Sequence, residues 1–198
     1  MKVCVVCYQR MAFHSISFLC YCLHENNVEL DFVGDCVTEV QTIEGITMAV
    51  KPLSGLDEVE RYSGVILPGG DIIHLLNISW LERGLAAFDR EGKFIGSICA
   101  ATRVVAELGL LRGRQYTSPM DFSVLPQAAG SKNIKTVVVQ DGNFLTARGQ
   151  GFTEFALLAL KILACTDEKE LGRLHRRYRP SPKRIRWDLI KYERIQES

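Results

Sequence analysis

Short apolar runs and helically spaced apolar positions alternate along this chain. The runs are bounded by polar or turn residues and predict strands buried on both faces of a sheet; they lie at residues 3–8, 28–34, 64–67 and 94–98. Between them, apolar residues recur every three or four positions, as in helices; these segments are residues 14–26, 71–76, 81–91, 100–110 and 154–164. Strands that alternate with helices predict an α/β fold with a mostly parallel sheet covered on both faces.

Two hairpins are also predicted. One turns around Gly45, and the other pairs residues 137–140 with residues 144–147 across an Asp-Gly-Asn turn. Sheets of this kind place ligand sites at the carboxyl ends of their strands. The segments PGGD (68–71) and SICAAT (97–102) follow two predicted strands, so we expect the functional site there.

The chain has 198 residues, which suits one ordinary domain with a short appendage. We place the domain at residues 1–166 and a basic, helical C-terminal extension at residues 167–198. The net charge of +1 hides a division, because residues 1–171 hold 15 Lys or Arg against 20 Asp or Glu, whereas residues 172–198 hold 9 against 3. The composition, 47% hydrophobic and 24% charged, excludes a disordered chain.

The basic extension has two interpretations. Nucleic acid could bind it through phosphates, but no reader motif is visible and the acidic body opposes such a partner. We favour packing of Trp187, Ile190 and Ile195 on the body or on a second subunit. A helix is predicted near residues 185–196.

Neither a membrane span nor an export signal is visible in the sequence, so we expect a cytoplasmic protein without membrane association. The seven cysteines are odd in number and irregularly spaced, which argues against a disulfide framework. Cys4 and Cys7 lie in a predicted strand, where residues three apart point to opposite faces. We therefore expect no metal and no cofactor, and interpret most cysteines as core residues.

Cys99 differs because an apolar strand runs into it and a helix with small residues follows. This strand-turn-helix pattern is typical of a nucleophile elbow, which presents the side chain above a helix N-terminus. Such an environment favours a thiolate. The Ala100 N–H would then bind an oxyanion, and the loop of Gly69 and Gly70 would bring a second N–H. The alternative is a cysteine that merely ends a buried strand.

Three segments resemble the signature segments of the ThiJ/PfpI family, that of the parkinsonism-associated deglycase, within the class I glutamine-amidotransferase-like superfamily. They are GVILPGGD (64–71), IGSICAAT (95–102) and FLTARGQGFTEFALLAL (144–160). The resemblance spans about residues 1–165. It implies a flavodoxin-like three-layer α/β sandwich, commonly a homodimer, in which Cys99 is the reactive cysteine and Gly70 and Ala100 supply the oxyanion-binding backbone.

The resemblance leaves the reaction open. The family includes glyoxalase, deglycase, peptidase and isocyanide-hydrating enzymes as well as sensors of oxidative stress. We therefore expect either a cysteine-dependent hydrolase or lyase acting on small carbonyl or amide substrates, or a non-catalytic redox sensor or regulatory binding protein whose partner is an oxidant. Peptidase action of the PfpI type is disfavoured because Ala100 replaces a histidine, and glutamine amidotransfer because Phe152 does.

The proton partner of Cys99 is harder to assign, because the usual histidine positions are vacant. Aligning the first strand puts His14 where many members place a carboxylic acid, although a shift of one residue puts Phe13 or Ser15 there. As a cation, His14 would stabilise the thiolate and form a dyad with Cys99. The alternative is a solvent-facing histidine at the start of a helix.

Weaker candidates surround these positions. His74 follows the PGGD segment, Asp71 either caps a helix or acts as an acid, and Ser118 is expected in the pocket wall with Gly69. Arg148 either binds an anion or braces its loop.

Overall fold

The computed structural model describes residues 1–53, 59–76 and 78–178. The strands are β1 (Lys2–Cys7), β2 (Glu29–Asp35), β3 (Glu39–Gln41), β4 (Thr47–Ala49), β5 (Lys51–Leu53), β6 (Gly64–Leu67), β7 (Phe94–Ile98), β8 (Gln115–Tyr116), β9 (Lys132–Asn133), β10 (Val138–Asp141) and β11 (Phe144–Ala147). The helices are α1 (His14–Glu25), α2 (Ser79–Arg90), α3 (Ala101–Glu107), α4 (Phe152–Ile162) and α5 (Glu168–Tyr178).

Seven of these strands form one sheet in the order β10-β11-β7-β6-β1-β2-β5. All neighbours in it are parallel except β10 and β11, which form the antiparallel hairpin predicted from the sequence. The central strands β6, β7 and β11 are buried along their whole length. The predicted α/β fold with a mostly parallel sheet is confirmed.

Helices cover both faces of the sheet. Adjacent residues of β7 show this, because a Cβ atom added at Gly96 would lie 2.9 Å from the Phe155 ring of α4, whereas the Ser97 hydroxyl lies 3.3 Å from that of Thr102 in α3. Helix α1 packs beside α4. Side chains alternate across a strand, so α1 and α4 form one layer and α3 lies in the other.

Some elements differ from their predicted form. The helix predicted at 71–76 is a four-residue 3-10 helix, Ile72–Leu75, because the backbone becomes extended again at Leu76, with ψ 140°. Helix α3 ends early, since Gly109 takes a left-handed φ of 76°. Strands β5, β8 and β9 were not predicted.

The described part of the extension is helical and lies against the body. The Tyr178 ring at the end of α5 packs on Phe18 of α1 with ring centroids 4.7 Å apart, and Arg173 pairs with Glu170. The predicted helix at 185–196, with Trp187, Ile190 and Ile195, lies outside the described residues. Within the described part, no helix is long and apolar enough to cross a bilayer.

Candidate functional site

Cys99 occupies the sharp turn between β7 and α3. Its backbone has a φ of 60°, in the left-handed region, which costs a residue with a Cβ atom about 1–2 kcal/mol. The Cys99 amide donates to the Ala147 carbonyl at 2.8 Å, which ties the turn to the end of β11. Its side chain is half-buried. A strained, partly accessible cysteine at the carboxyl edge of a parallel sheet is the arrangement that the sequence predicted.

Two glycine loops enclose the thiol. A Cβ atom added at Gly69 would lie 2.9 Å from the Cys99 Cβ, and one added at Gly149 would lie 3.6 Å from the Cys99 Sγ. The first distance is too short for any side chain to fit without movement. Backbone atoms of Gly69 and Gly149 therefore lie next to the Cys99 side chain, and the role of Gly69 in a substrate pocket stays a prediction.

Residues 8–15 hold the Gly69–Gly70 loop in place. The Tyr8 hydroxyl donates to the carbonyls of Pro68 and Gly69 at 2.8 and 2.7 Å, and the Ala12 amide donates to the Gly69 carbonyl at 2.7 Å. The Gly69 amide in turn donates to the Ser15 hydroxyl at 3.2 Å. Both polar backbone groups of Gly69 are thus paired, which leaves little freedom for the loop beside Cys99.

Gly70 adopts a conformation that only glycine tolerates. Its φ is 130°, and a Cβ atom there would lie 2.5 Å from the Arg10 carbonyl oxygen. Among the described residues no acceptor is recorded for the N–H groups of Gly70 and Ala100. These are the two backbone donors that the sequence assigned to an oxyanion, and both remain available for one.

The first turn of α1 places Ser15, rather than His14, on the side of Gly69. Ser15 is buried, whereas the His14 side chain is 64% exposed and its Nδ1 lies 2.6 Å from Glu44 Oε1. No hydrogen bond between His14 and Cys99 occurs in the described structure. Adjacent residues of a helix point about 100° apart, so Ser15 can face Gly69 while His14 faces Glu44. The dyad of His14 with Cys99 stays a prediction.

Glu44 binds the start of α1 from the turn between β3 and β4. Its carboxylate accepts the backbone amides of Phe13 and His14 at 3.2 and 3.0 Å. Burial opposes its ionisation, but hydrogen bonds from the His14 amide, the Thr42 hydroxyl and the His14 ring outweigh it and lower the Glu44 pKa to about 2. The carboxylate thus completes the N-terminus of the helix that carries Ser15.

The remaining predicted site residues are Asp71, His74 and Ser118. Asp71 is exposed and lies 3.8 Å from the Arg10 guanidinium. His74 is exposed and lines a cavity of about 160 Å³ together with Tyr8 and Trp80. Ser118 is buried, and its amide donates to the Asn133 side chain at 3.3 Å. None of these three side chains hydrogen-bonds to Cys99 within the described ranges.

Tyr8 is the residue that sequence reasoning missed. It ends the first apolar run and therefore read as a core residue, but its hydroxyl reaches the loop that touches Cys99. Burial raises the Tyr8 pKa, and so does the negative charge of an ionised Cys99. Tyr8 is therefore neutral at physiological pH and acts in this loop as a hydrogen-bond donor.

Most other cysteines lie in the core. Burial raises the pKa of Cys7 and Cys20 to about 12 and that of Cys22 to about 11, and it also raises the pKa of Cys4. Among the described residues, no group of three or more His, Cys, Asp or Glu is arranged to hold a metal ion. The thiols at partly or fully exposed positions are Cys36, Cys99 and Cys165.

This fold and this site define an α/β protein with a cysteine at a nucleophile elbow. A family model, the DJ-1/PfpI family, matches residues 1–162, and the chain belongs to that family. The resemblance to ThiJ/PfpI proteins found in the sequence is thereby confirmed.

Individual relatives match between about half and four fifths of the chain. Protein DJ-1alpha of Drosophila melanogaster is 35% identical over 64% of this chain and 62% of its own length. Isonitrile hydratase of Pseudomonas putida is 25% identical over 79% of this chain and 68% of its own, and a deglycase of Thermococcus kodakarensis is 30% identical over 48% and 59%. The chain thus matches less than two thirds of the Drosophila and Thermococcus proteins.

Solved structures agree on the fold. A DJ-1 superfamily protein of Agrobacterium tumefaciens superposes with a TM-score of 0.78 at 20% identity, covering 88% of this chain and 96% of that one. Another, from Salmonella typhimurium, gives 0.76 at 24% identity, with 89% and 96% covered. The predicted flavodoxin-like α/β class is therefore correct.

Proposed function

We propose that this protein is a cysteine-dependent enzyme that acts on small carbonyl compounds, with glyoxalase or deglycase-type chemistry, and that Cys99 is its nucleophile. The observation that carries the proposal is the strained Cys99 turn, at a φ of 60°, packed against the fixed backbone of Gly69. Strain of this kind persists where the surrounding structure holds it and is concentrated at active sites. Relatives named as a deglycase and an isonitrile hydratase support a small electrophilic substrate.

The first step is attack of the Cys99 thiolate on the carbonyl carbon. An S–C bond forms, and the electron pair of the C=O π bond moves to the oxygen. The free N–H groups of Gly70 and Ala100 are the donors that would stabilise this oxyanion. Because Tyr8, Ala12 and Ser15 fix the Gly69–Gly70 loop, the Gly70 donor need not be reorganised during attack.

For a 2-oxoaldehyde, the attacked carbon then gives up its hydrogen as a proton, and the neighbouring carbonyl carbon receives a proton. The resulting thioester is cleaved by water, which releases the thiol and a 2-hydroxy acid. The net change is addition of one water molecule, so no redox partner is needed. Proteolysis and glutamine amidotransfer are not proposed, because Ala100 and Phe152 stand where those reactions use histidine.

Turnover of methylglyoxal by the full chain tests the proposal. We expect 2-hydroxy acid formation by the wild type and at least a hundredfold loss in Cys99→Ala, whereas Cys36→Ala removes an exposed thiol and keeps the rate. An equal rate in Cys99→Ala would refute a nucleophilic role for Cys99.

The alternative function is a redox sensor that uses the same thiol. It is favoured by one observation: among the described residues, hydrogen bonds of thiols are recorded for Cys7 and Cys165 but none joins the Cys99 sulfur to a side chain that could act as a proton partner. A partly exposed thiol in such a setting is open to peroxide. Mass spectrometry after mild peroxide treatment should then show Cys99 oxidised before Cys36 and Cys165, without turnover of carbonyl substrates. Uniform oxidation of the three would count against it.

We further propose that the protein is a cytoplasmic homodimer whose domain ends near residue 166. Sedimentation analysis of the full chain and of a form ending at residue 166 would test both parts. We expect a dimer in each case, and retention of the folded domain without the extension.

A further inference from the structure

The register of the sheet places Arg148 beside Cys99. β11 and β7 pair in parallel with Thr146 opposite Ser97 and Ala147 opposite Ile98, so the next pair in that register is Arg148 and Cys99. The Cys99 amide donates to the Ala147 carbonyl of the last recorded pair, so Cys99 and Arg148 are the residues that directly follow that pair on the two strands. Arg148 itself keeps an extended backbone, with φ −75° and ψ 156°. A Cβ atom added at the next residue, Gly149, would lie 3.6 Å from the Cys99 Sγ, so the Arg148 backbone lies close to the thiol.

Contacts show that the Arg148 side chain leaves on the face of the sheet covered by α3. The Arg148 Nε donates to the Thr117 hydroxyl at 3.2 Å, and the Thr117 amide donates to the Thr146 hydroxyl at 2.9 Å. Thr146 is opposite Ser97, whose hydroxyl meets Thr102 of α3. Cys99 is two residues after Ser97 and connects directly to α3. The Arg148 side chain therefore leaves towards α3, the helix that begins directly after the Cys99 turn.

This guanidinium is oriented but not neutralised. The Thr117 hydroxyl that accepts from its Nε is itself directed by donation to the Thr136 carbonyl at 2.6 Å. Some other arginines have a carboxylate within 4.0 Å, such as Arg10, Arg103 and Arg114, which lie 3.8, 2.7 and 2.8 Å from Asp71, Glu107 and Asp89. Within the described ranges no carboxylate lies that close to Arg148. Its Nη donors carry charge that protein groups do not balance there.

We propose that Arg148 binds a carboxylate on the substrate of Cys99, so that the preferred substrates are small carbonyl compounds that also carry a carboxylate. This inference rests on the proposed function and names its substrate class. A planar guanidinium forms charge-assisted hydrogen bonds with a carboxylate and fixes its orientation. Held by Thr117, it would position the carbonyl carbon of such a compound over the thiol.

Alkylation of Cys99 by two matched reagents tests this without requiring turnover. Iodoacetate and iodoacetamide both form an S–C bond with release of iodide, and they differ in a carboxylate against a neutral amide. Rates at the Cys99 and Cys36 peptides would be measured by mass spectrometry at constant pH and ionic strength. We expect the iodoacetate-to-iodoacetamide ratio to be at least fivefold higher at Cys99 than at the exposed Cys36.

Two variants test whether Arg148 causes the preference of Cys99 for iodoacetate. In Arg148→Gln the ratio at Cys99 should fall to that of Cys36, whereas Arg103→Gln, with the same loss of charge on α3, should keep it. A wild-type ratio equal to that of Cys36, a ratio unchanged in Arg148→Gln, or an equal fall of both rates would overturn the proposal. The last result would mean that Arg148 only braces its loop.

A measurement on the wild type covers the case in which Arg148→Gln does not fold. Acetate should slow iodoacetamide labelling of Cys99, and acetamide at the same concentration should not, with chloride balancing the salt. Absence of protection by acetate overturns the inference. An anion preference without methylglyoxal turnover would reject the proposed enzyme only, and turnover without the preference would reject the substrate class only.

Discussion

The side-chain oxygen of Ser15 accepts the Gly69 amide at 3.2 Å and donates to the Ala12 carbonyl at 2.7 Å. This buried hydroxyl thereby connects the start of α1 to the loop that touches Cys99. Ser15 therefore affects the site by holding the Gly69 loop in place, since it makes no recorded contact with the Cys99 sulfur.

Ser15→Ala should lower the free energy of unfolding by about 1–3 kcal/mol, because the Gly69 amide loses its buried acceptor. Ser17→Ala is the matched control, since Ser17 is partly exposed and its recorded hydrogen bond is donation to the His14 carbonyl at 3.3 Å, and its effect should stay within about 0.5 kcal/mol. Urea denaturation measures both, and equal values would contradict a special role for Ser15.

Tyr8→Phe removes the donor to the Pro68 and Gly69 carbonyls while keeping the ring. We expect a slower reaction of Cys99 with iodoacetamide or a lower kcat, with KM changed less, because the loop loses its fixed position. Tyr178→Phe removes a hydroxyl whose recorded contact is the Tyr21 hydroxyl at 3.4 Å, and it should change neither rate. A Tyr8→Phe protein with wild-type kinetics would show that the loop holds its position without this hydroxyl.

A comparison of Gly70→Ala with Gly45→Ala separates steric from conformational effects, because both glycines have a positive φ. Gly70→Ala places a Cβ atom 2.5–2.7 Å from backbone atoms of Arg10, Met11 and Ala12, whereas one at Gly45 meets nothing within 4 Å. Both changes carry the conformational cost of alanine at positive φ, about 1 kcal/mol. Only Gly70→Ala should also reduce turnover, by tenfold or more. Thermal unfolding and initial rates compare them, and equal turnover would argue against Gly70 as an oxyanion donor.

Acid should weaken the contact between Glu44 and α1. The folded-state pKa of Glu44, about 2, lies below its ordinary value of 4.5. A depressed carboxyl pKa contributes stability above the unfolded-state pKa, and this is lost as pH falls from about 4.5 through about 2. Glu44→Gln should therefore lower the melting temperature at pH 6, and the difference should shrink towards pH 2. A difference that is constant with pH would exclude an ionic origin.

Cysteine labelling of the native protein at pH 8 should separate the seven thiols into unreactive, buried ones and reactive, accessible ones. Cys4, Cys7, Cys20 and Cys22 have raised pKa values because of burial, so they should react only after unfolding in urea. Cys36, Cys99 and Cys165 are accessible in the native state. Peptide mapping after iodoacetamide treatment checks this, and native labelling of Cys4 would contradict the buried position of β1.

Central elements were predictable because they are buried on both faces. β6 and β7 coincide residue for residue with the apolar runs at 64–67 and 94–98. β5 was not predictable, since three residues with a proline at an edge form no apolar run. The elbow was predictable for the same reason as β7, because the apolar run stops at Cys99 and small residues follow.

The surroundings of Cys99 were less predictable because they depend on angles and on contacts distant in sequence. A shift of one helical position separates His14, beside Glu44, from Ser15, beside Gly69. The Tyr8 hydroxyl bonds carbonyls 60 and 61 residues away, a pairing that no local pattern contains. The sequence left open whether Arg148 binds an anion or braces its loop, and only the pairing of β11 with β7 shows that Arg148 and Cys99 follow the same final pair of residues.

The pairing of β7 with β11 also determines when Cys99 becomes enclosed as the chain is synthesised and folds. Cys99 receives its amide partner, its Gly149 wall and its neighbour Arg148 from a strand about fifty residues later in the chain. Contacts of such sequence separation form slowly. A growing polypeptide therefore contains Cys99 before the residues that enclose its side chain in the folded protein have been synthesised.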